Sequence, residues 1–296
     1  MGYGQEDTAR LGREYAYTDR HFEFLRELVE RSAGIKISDV KRELVYGRVV
    51  RRIRKLGLEG FDAYCALVER DAEERTVHFI NAITTNLTSF FREPHHFDFL
   101  GKTVLPELRT RNQASRRIRI WSAGCSTGEE PYSIAMTIRE AIPDLRAWDV
   151  RILATDIDST VLEKAQSGIY EQERLANLSP ARLGRWFLRG KGDNDGMARV
   201  VPEIQELITF RRLNLMEPWP LAGQFDVIFC RNVVIYFDKD TQKVLFNRFA
   251  DALLDDGWLF IGHSENLFRV SERFELLGHT VYRKIKDSDA GALPKP

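Results

Sequence analysis

Residues 117–133, RIRIWSAGCSTGEEPYS, decide the fold class of this chain. A short apolar run with Ile118, Ile120 and Trp121 leads into a loop of small residues, 122–128, and a helical pattern follows. The order strand, glycine-containing loop and helix is typical of the phosphate or nucleoside cradle in a doubly wound α/β sheet. We therefore expect such a sheet, with a nucleoside-containing ligand at this loop.

The residues that follow the loop indicate which ligand it holds. Gly124 and Gly128 do not fit the G-x-G-x-x-G spacing, and Glu129 and Glu130 follow at once. A pyrophosphate requires backbone N–H groups without a nearby carboxylate, because like charges repel strongly in a partly desolvated cleft. A carboxylate suits a ligand with hydroxyls and positive charge, such as S-adenosylmethionine. A nicotinamide oxidoreductase stays as an alternative, although it would need three close glycines and no adjacent acid pair.

The composition excludes several classes of protein. The 296 residues include 44 basic and 44 acidic ones, so electrostatic recognition of any partner must be local. Cys65, Cys125 and Cys230 are far apart and form no C-x-x-C pair, which argues against a disulfide framework or a zinc site. No apolar run approaches the roughly 20 residues of a membrane span. We expect a cytoplasmic protein with no metal ion and no membrane insertion.

The sequence divides into segments of different character. Residues 1–18 and 286–296 are predicted to be polar tails. From residue 19 to 83, apolar residues such as Phe22, Leu25 and Val29 recur at helical spacing without strand signals, which predicts a small all-α domain. Residues 84–97, where Pro94 restricts the backbone, are predicted to be a linker.

Residues 98–285 alternate between strand-like and helix-like runs. Strands are predicted at 118–122, 151–155, 208–212, 225–230 and 257–262, and helices at 98–112, 129–142, 159–167 and 240–254. This alternation predicts a mostly parallel sheet with helices on both faces. The ending FELLGHTVYRKI reads as one more strand, and a polar, glycine-rich stretch within about 168–207 predicts a small inserted subdomain.

Two segments bring polar groups to the carboxyl ends of predicted strands. Asp156 ends the second strand, where it can accept hydrogen bonds from ribose hydroxyls; it could instead cap the next helix, a role that Asp158 could also fill. The segment FDVIFCRNVVIYFD, 225–238, delivers Asn232 to hold a ligand amine or carboxylate. Tyr236 either presents its hydroxyl near the reacting centre or is a core residue.

The segment 40–57, VKRELVYGRVVRRIRKLG, has the strongest charge asymmetry. On a helix, five cations fall within a sector of about 100°: Lys41, Arg48, Arg51, Arg52 and Lys55. A solvated helix face is one interpretation of this stripe. Nucleic acid is a weaker one, because the aromatic platforms expected for single strands are missing. An acidic protein surface is the better match.

Six motifs together resemble the chemotaxis receptor methyltransferase (CheR) family. They are TTNLTSFFRE, IWSAGCSTGEEPYSIAM, ATDID, FRRLNL, FDVIFCRNVVIYFD and GWLFIGHSENL, in family order, and the resemblance covers roughly residues 19–285. It implies a class I S-adenosylmethionine-dependent methyltransferase fold with a helical N-terminal domain and a small inserted β-subdomain. It also implies methylation of glutamate side chains on the cytoplasmic helices of chemoreceptors, with S-adenosylhomocysteine as the other product.

The resemblance assigns roles to residues at the motif positions. Cofactor contacts are implied, from the linker onward, for Asn86, Thr88, Arg92, Gly124, Glu129, Asp156, Asn214, Leu215, Asn232 and Val233. Arg92 and Tyr236 are placed closest to the transferred methyl group. Arg92 would orient the acceptor carboxylate or, alternatively, hold the carboxylate of the cofactor.

The resemblance also bears on partners. It implies that the five cations of the basic helix contact the receptor helices. The spacing of Gly190, Gly192 and Gly196 is similar to that of family members whose β-subdomain captures a receptor C-terminal pentapeptide by strand addition, although turn formation explains such glycines by default. We expect a monomer. A receptor-binding scaffold without turnover stays as a non-enzymatic alternative.

Overall fold

The computed structural model describes residues 13–286, and the chain divides between Thr85 and Asn86 into two compact units. Most of the two predicted polar tails, residues 1–12 and 287–296, lies outside the described residues. Among the helices of the described part, none is long and apolar enough to cross a membrane.

The first unit is helical. Its helices are α1 (Asp19–Ala33), α2 (Arg42–Leu56), α3 (Phe61–Arg70) and α4 (Ile80–Ile83), with a 3₁₀ turn at Asp39–Lys41 and a π-helical turn at Glu74–Phe79. Thr18 starts α1 because its hydroxyl accepts a hydrogen bond from the N–H of His21, whose ring accepts one from the N–H of Thr18. Phe22, Leu25 and Val29 are all buried, which confirms the predicted helical periodicity.

The second unit carries the sheets. Its strands are β1 (Arg117–Ala123), β2 (Asp149–Asp156), β3 (Ile169–Glu171), β4 (Phe187–Arg189), β5 (Met197–Val200), β6 (Ile208–Arg212), β7 (Phe225–Cys230), β8 (Leu253–Ile261), β9 (Phe274–Gly278) and β10 (Val281–Lys284). Its helices are α5 (Pro94–Phe99), α6 (Leu105–Arg111), α7 (Glu129–Ala141), α8 (Ser159–Ser167), α9 (Pro180–Trp186), α10 (Pro202–Gln205) and α11 (Lys239–Ala252).

Seven strands form one sheet in the order β6-β2-β1-β7-β8-β10-β9. The five strands from β6 to β8 pair in parallel, and β10 and β9 pair antiparallel. Every residue of β7 is buried, as expected for a strand covered by helices on both faces. Ile120 and Phe229 pack in the same cluster as α7, whereas Trp121 and Ile228 pack in the same cluster as α11. The predicted mostly parallel sheet is confirmed.

The structure differs from the sequence prediction at two places. The ending forms two strands, β9 and β10, rather than one, because Gly278, His279 and Thr280 all adopt positive φ and reverse the chain. The helix predicted at 98–112 begins at Pro94 and contains a π-helical turn, Leu100–Val104, before α6. Pro106 has no backbone N–H, so the regular hydrogen-bond ladder is interrupted there.

The inserted subdomain is a separate three-stranded antiparallel sheet with β5 between β3 and β4, which confirms the predicted small β-subdomain. The N–H of Gly190 donates to the carbonyl oxygen of Met197 at 2.8 Å, and Gly192 and Gly196 adopt positive φ of 60° and 82°. These glycines therefore build the connection from β4 to β5. Their role in binding a receptor tail stays a prediction.

Candidate active site

The site lies where the parallel strands end. Because β1, β2, β6, β7 and β8 run in the same direction, the loops that follow them meet at one edge of the sheet, where folds of this kind bind ligands. The predicted cofactor contacts lie in the loops after β1, β6 and β7, at the last residue of β2, at the start of α7, or in the segment 86–93 before α5. They do not include any residue of the helical unit.

The loop after β1 is tied to the end of β2. The N–H groups of Gly124 and Cys125 both donate to the carbonyl oxygen of Thr155, at 2.8 and 2.9 Å. Gly124 has a φ of 85°, and a Cβ there would overlap Cγ2 of Val233 in the loop after β7. Only glycine fits this position, so the backbone of this loop lies directly against the predicted cofactor contact Val233.

Asp156 holds a buried carboxylate at the end of β2. It accepts hydrogen bonds from the N–H groups of Ser126 at 2.8 Å and Asp158 at 3.0 Å, one on each oxygen. Burial raises the pKa of Asp156 to about 6, although these N–H groups oppose the rise. Each oxygen keeps a second lone pair for a ribose hydroxyl. Asp158, rather than Asp156, caps α8, by accepting from the N–H groups of Thr160 and Val161.

The segment before α5 is attached to the loops after β1 and β2. The side-chain amide of Asn86 donates to Asp158 at 2.8 Å, and the backbone carbonyl oxygen of Asn86 accepts from the hydroxyl of Ser126 at 3.0 Å. Arg92 is half-buried and donates from Nη1 to the carbonyl oxygen of Leu87 at 2.9 Å. Thr88, also half-buried, lies between these two anchors in the sequence. The predicted linker contacts are therefore brought to the same edge as Asp156.

Glu129 is fully buried at the first residue of α7. The hydroxyl of Thr127 donates to it at 2.6 Å, and Nε of Arg174 donates to it at 2.9 Å. Arg174 belongs to the inserted subdomain, and so does Tyr170, whose hydroxyl donates to the carbonyl oxygen of Thr127 at 2.7 Å. The insertion therefore supports the loop that leads into α7. Nothing in the sequence pointed to Arg174, because its partner lies in a distant motif.

Arg231 forms a buried ion-pair network that the sequence did not predict. Its guanidinium lies 3.0 Å from Glu130 and 3.2 Å from Glu93, and it also donates to the carbonyl oxygen of Arg92. Burial raises the pKa of Glu130, against the effect of Arg231. Burial also acts on Glu93, but Arg231 and a backbone N–H outweigh it and hold the pKa of Glu93 below its ordinary value. Arg231 thus connects α7, the loop after β7 and the backbone at Arg92.

Backbone strain is concentrated at the same edge. Of the nine non-glycine residues with positive φ in the described part of the chain, four lie in these segments: Phe91, Glu93, Ser126 and Asn232. Such conformations cost of order 1–3 kcal/mol each and persist where the surroundings over-determine them, commonly at functional sites. The hydrogen bonds of Asp156 and Arg231 supply that constraint at Ser126 and next to Glu93.

One group of residues has the donor atoms of a metal site. Atoms of Glu93, His95 and His96 lie within 4.8 Å of one another, the one such group among residues 13–286. The Glu93 oxygen that faces His96 also lies 3.2 Å from the guanidinium of Arg231. A metal ion at that oxygen would lie beside a fixed cation, so this arrangement suits an ion pair better. The absence of a metal site stays a prediction.

The loops after β6 and β7 carry the remaining predicted contacts. Asn214 is half-buried and turns the chain, since its side-chain oxygen accepts from the N–H of Met216 at 3.0 Å; Leu215 is buried in the core. Asn232 and Tyr236 are half-buried in the loop after β7, which ends in a 3₁₀ turn, Val234–Tyr236. Tyr236 is therefore not a core residue.

The five cations predicted on one helix face fall into two groups. Lys41, which lies in the 3₁₀ turn before α2 rather than on the helix, is exposed, as are Arg51 and Lys55 on α2. Arg52 instead pairs with the buried Glu74, at 2.7 Å from its Nε, and Arg48 donates to the carbonyl oxygen of Thr84 at 2.8 Å. These two cations therefore help to hold the helical unit together, and the role of all five in receptor binding stays a prediction.

A surface cavity lies at the opposite edge of the sheet. It encloses about 570 Å³ and is lined by Arg111, Asn112, Gln224, Leu254, Asp255 and Lys284. Its charged groups pair with residues of the fold: Arg111 with Asp226 at 2.8 Å, and Lys284 with Asp255 at 2.9 Å. We therefore assign the chemistry to the edge that carries Asp156 and Glu129.

The donor set at that edge fits S-adenosylmethionine. Carboxylates at Asp156 and Glu129 suit ribose hydroxyls and an ammonium group, respectively. The loop offers no run of N–H groups free of acidic neighbours for a pyrophosphate.

Comparison with known proteins identifies the family. Residues 86–283 match the family described as CheR methyltransferase, SAM binding domain, and residues 20–84 match CheR methyltransferase, all-alpha domain. A chemotaxis protein methyltransferase of Escherichia coli is 46% identical over 92% of this chain and 93% of its own. Chemotaxis protein methyltransferase 2 of Pseudomonas aeruginosa is 47% identical over 91% and 94%.

Comparison with solved structures adds little to the identification of the family. Magnesium protoporphyrin IX methyltransferase from Synechocystis, with bound S-adenosylhomocysteine, is 15% identical over 60% of this chain and 61% of its own, with a TM-score of 0.29. Identification therefore rests on the family models and the relatives. The chain belongs to the CheR family, and it is a methyltransferase with S-adenosylmethionine as its cofactor.

Proposed function

We propose that this enzyme transfers the methyl group of S-adenosylmethionine to glutamate side chains on the cytoplasmic helices of chemoreceptors, forming methyl esters. Two relatives that are 46% and 47% identical over more than nine-tenths of the chain carry the name chemotaxis protein methyltransferase. The observation that carries the proposal is the meeting of segment 86–93 with the loops after β1, β2 and β7 at one edge. The enzyme acts in the cytoplasm, as a monomer.

The chemistry requires positioning more than acid–base catalysis. A glutamate carboxylate has an unperturbed pKa of about 4.3, so it is ionised at neutral pH and needs no general base. The cofactor supplies an electrophilic methyl group on a positively charged sulfur. Removing water from the acceptor carboxylate favours a reaction that neutralises charge. Holding the two reactants in line can account for roughly 7–11 kcal/mol of the barrier in favourable cases.

Arg92 and Tyr236 are the proposed catalytic residues. The Arg92 guanidinium donates one hydrogen bond to Leu87, which leaves other N–H groups of the fork to meet a carboxylate. The Arg231 side chain holds the carbonyl oxygen of Arg92 and so fixes the backbone from which this guanidinium extends. Tyr236, in the 3₁₀ turn after β7, would fix the transfer geometry with its hydroxyl.

Receptor recognition is proposed to involve two surfaces. The exposed cations Lys41, just before α2, and Arg51 and Lys55 on α2 would meet the acidic face of the receptor helices. Arg48 would add positive charge, whereas the charge of Arg52 is largely offset by Glu74. The edge strands β3 and β4 of the inserted sheet offer a place for an added strand from a receptor tail. Such tethering would raise the local enzyme concentration without altering the chemistry.

Radiolabelled methyl transfer tests the main proposal. Incubation with labelled S-adenosylmethionine and receptor-containing membranes should give label on the receptor that alkali releases as methanol, because esters are base-labile. Receptors with the acceptor glutamates changed to alanine are the matched control. Binding to receptors without incorporation of label would instead favour a non-catalytic scaffold.

The tether is tested separately. Peptides that end in an aromatic-rich pentapeptide are titrated into the enzyme, with the same peptide lacking its last five residues as control. We expect saturable binding of the first peptide only. No binding at millimolar concentration would reject the tether and leave the methyl-transfer proposal standing.

A further inference from the structure

The loop after β7 turns at a left-handed residue between two glycines. Asn232 has a φ of 58°, a region that asparagine adopts more readily than other residues with a side chain. On one side Val233 lies where a Cβ of Gly124 would be, and on the other the backbone nitrogen of Asn232 lies 2.8 Å from where a Cβ of Gly262 would be. The predicted cofactor contacts Asn232 and Val233 are therefore packed between the loops after β1 and β8.

A single buried carboxylate holds this arrangement. Glu265, 5% exposed, accepts hydrogen bonds from four backbone N–H groups. Oε2 accepts from Asn232 at 2.9 Å and Gly262 at 2.5 Å, and Oε1 accepts from Val234 at 2.9 Å and Ile235 at 3.3 Å. The carboxylate thus fastens the loop after β7 to the loop after β8.

The charge of Glu265 is met by the peptide backbone. Burial raises the pKa of Glu265, and its hydrogen bonds from four backbone N–H groups oppose that rise. A carboxylate oxygen is the strongest acceptor available for two N–H groups at once. A buried carboxylate at this position has a desolvation cost that a neutral side chain would avoid. In exchange, its four hydrogen bonds fix the conformation of the loop after β7.

We propose that Glu265 is a positioning residue for the cofactor: it sets the conformation of Asn232 and Val233, and its loss acts on cofactor affinity rather than only on the stability of the fold. The proposal rests on the proposed cofactor contacts of these two residues. It does not require that glutamate be the methyl acceptor.

Glu265→Gln is the direct test. The amide keeps the shape of the side chain but replaces one oxygen with an NH₂ group, which faces backbone N–H groups that it cannot satisfy. The Kd for S-adenosylhomocysteine, measured by calorimetry on the folded variant, should rise at least tenfold. KM for S-adenosylmethionine should rise more than kcat falls. The matched control is Glu272→Gln, an exposed carboxylate in the same stretch between β8 and β9, for which both constants should change less than twofold.

Gly262→Ala perturbs the same loop while leaving the Glu265 side chain unchanged. Its added methyl group would press on Asn232, and we expect the Kd for S-adenosylhomocysteine to rise here as well. If Glu265→Gln does not fold, the Kd of Gly262→Ala for S-adenosylhomocysteine alone tests the proposal. Folded variants with lower melting temperature and unchanged Kd would overturn the proposal, because Glu265 would then act only on stability. Wild-type binding of S-adenosylhomocysteine without methylation of receptors would instead reject the proposed acceptor and leave this inference intact.

Discussion

Arg174 of the inserted subdomain forms an ion pair with Glu129, a fully buried carboxylate at the first residue of α7. Glu129 is also a predicted cofactor contact, and its carboxylate suits the ammonium group of S-adenosylmethionine. With this contact, the Arg174 guanidinium and the ligand cation would share one carboxylate. The inserted subdomain would then border the predicted cofactor site.

Replacing Arg174 with glutamine should destabilise the protein by about 1–3 kcal/mol, because Glu129 then loses a charged partner in a buried place. S-adenosylhomocysteine should raise the melting temperature of this variant more than that of the wild type, since its ammonium group supplies a cation to Glu129. Differential scanning calorimetry with and without ligand measures both effects. Arg199→Gln, on an exposed position of β5, is the control. An equal ligand-induced shift in variant and wild type would contradict the expectation.

Cofactor affinity should depend on the ionisation of Asp156. Burial raises the pKa of Asp156 to about 6, so below that pH the carboxyl is increasingly protonated and accepts ribose hydroxyls less well. The Kd for S-adenosylhomocysteine should be constant above pH 7 and rise toward pH 5. In Asp156→Asn the affinity should be low and the pH dependence lost. Asp149→Asn, at the exposed start of the same strand, should keep the wild-type profile.

The stability of the protein without ligand should respond to Asp156 in the opposite direction. Its folded-state pKa of about 6 lies above the unperturbed value of about 3.9, so the unfolded state loses its proton first. The contribution of this group to the free energy of unfolding is complete below pH 4 and is lost as the pH rises through 6. Comparing urea unfolding of wild type and Asp156→Asn across this range checks the sign.

Removing Arg231 should unfold or strongly weaken the sheet domain. Arg231→Met leaves Glu130 and Glu93 without their cation, and breaking a buried pair in this way typically costs about 3–5 kcal/mol. Adding Glu130→Gln should recover part of that loss, because residues of one network are not additive. Denaturant unfolding of the two variants measures this coupling. Additive effects would show that the network is not a unit.

Arg92→Ala should lower turnover about 100-fold or more, because misplaced reactants lose the benefit of orientation. The same variant separates two roles. If Arg92 orients the acceptor carboxylate, the Kd for S-adenosylhomocysteine stays within threefold; if it holds the carboxylate of the cofactor, that Kd rises at least tenfold. Arg211→Ala, an exposed arginine on β6, is the control. Near wild-type turnover of Arg92→Ala would contradict both proposed roles of Arg92.

Charge reversal on α2 should weaken recognition of the receptor and nothing else. In Arg51→Glu with Lys55→Glu, two exposed cations become acids, so KM for receptor should rise several-fold at low salt and less so at high salt. Affinity for S-adenosylhomocysteine should not change. The pair Arg20→Glu and Arg70→Glu makes the same charge change at exposed positions of α1 and α3. An equal loss in both double variants would argue against a specific surface.

Local sequence patterns were sufficient to predict the parallel part of the fold. Buried strands and their following loops are adjacent in sequence, so short windows predict β1, β2, β6 and β7, together with Asp156 and Asn232 at the ends of β2 and β7. The hairpin of β9 and β10 was missed because its turn, at Gly278 and His279, carries a single weak turn signal. The resemblance, rather than any pattern, assigned roles to Asn86 and Thr88.

The ion pairs and hydrogen bonds that hold the site together could not be predicted in the same way. Glu129 and Arg174 are 45 residues apart, and Glu130 and Arg231 are 101 apart. No periodicity connects such pairs, so the sequence marks Glu129 and Glu130 beside the glycine loop without indicating Arg174 or Arg231 as their partners. Glu265 lies in the motif GWLFIGHSENL, but its four N–H partners are backbone groups that carry no sequence signal.

The inserted sheet has a consequence for protein engineering. Among residues 13–286 it shares no strand pairing with the large sheet, so its strands could be exchanged as a unit with those of a relative. Tyr170 and Arg174 nevertheless reach from it to Thr127 and Glu129. A transplanted insertion must bring both side chains with it, because a chimera without them would lose the hydrogen bonds that support the loop leading into α7.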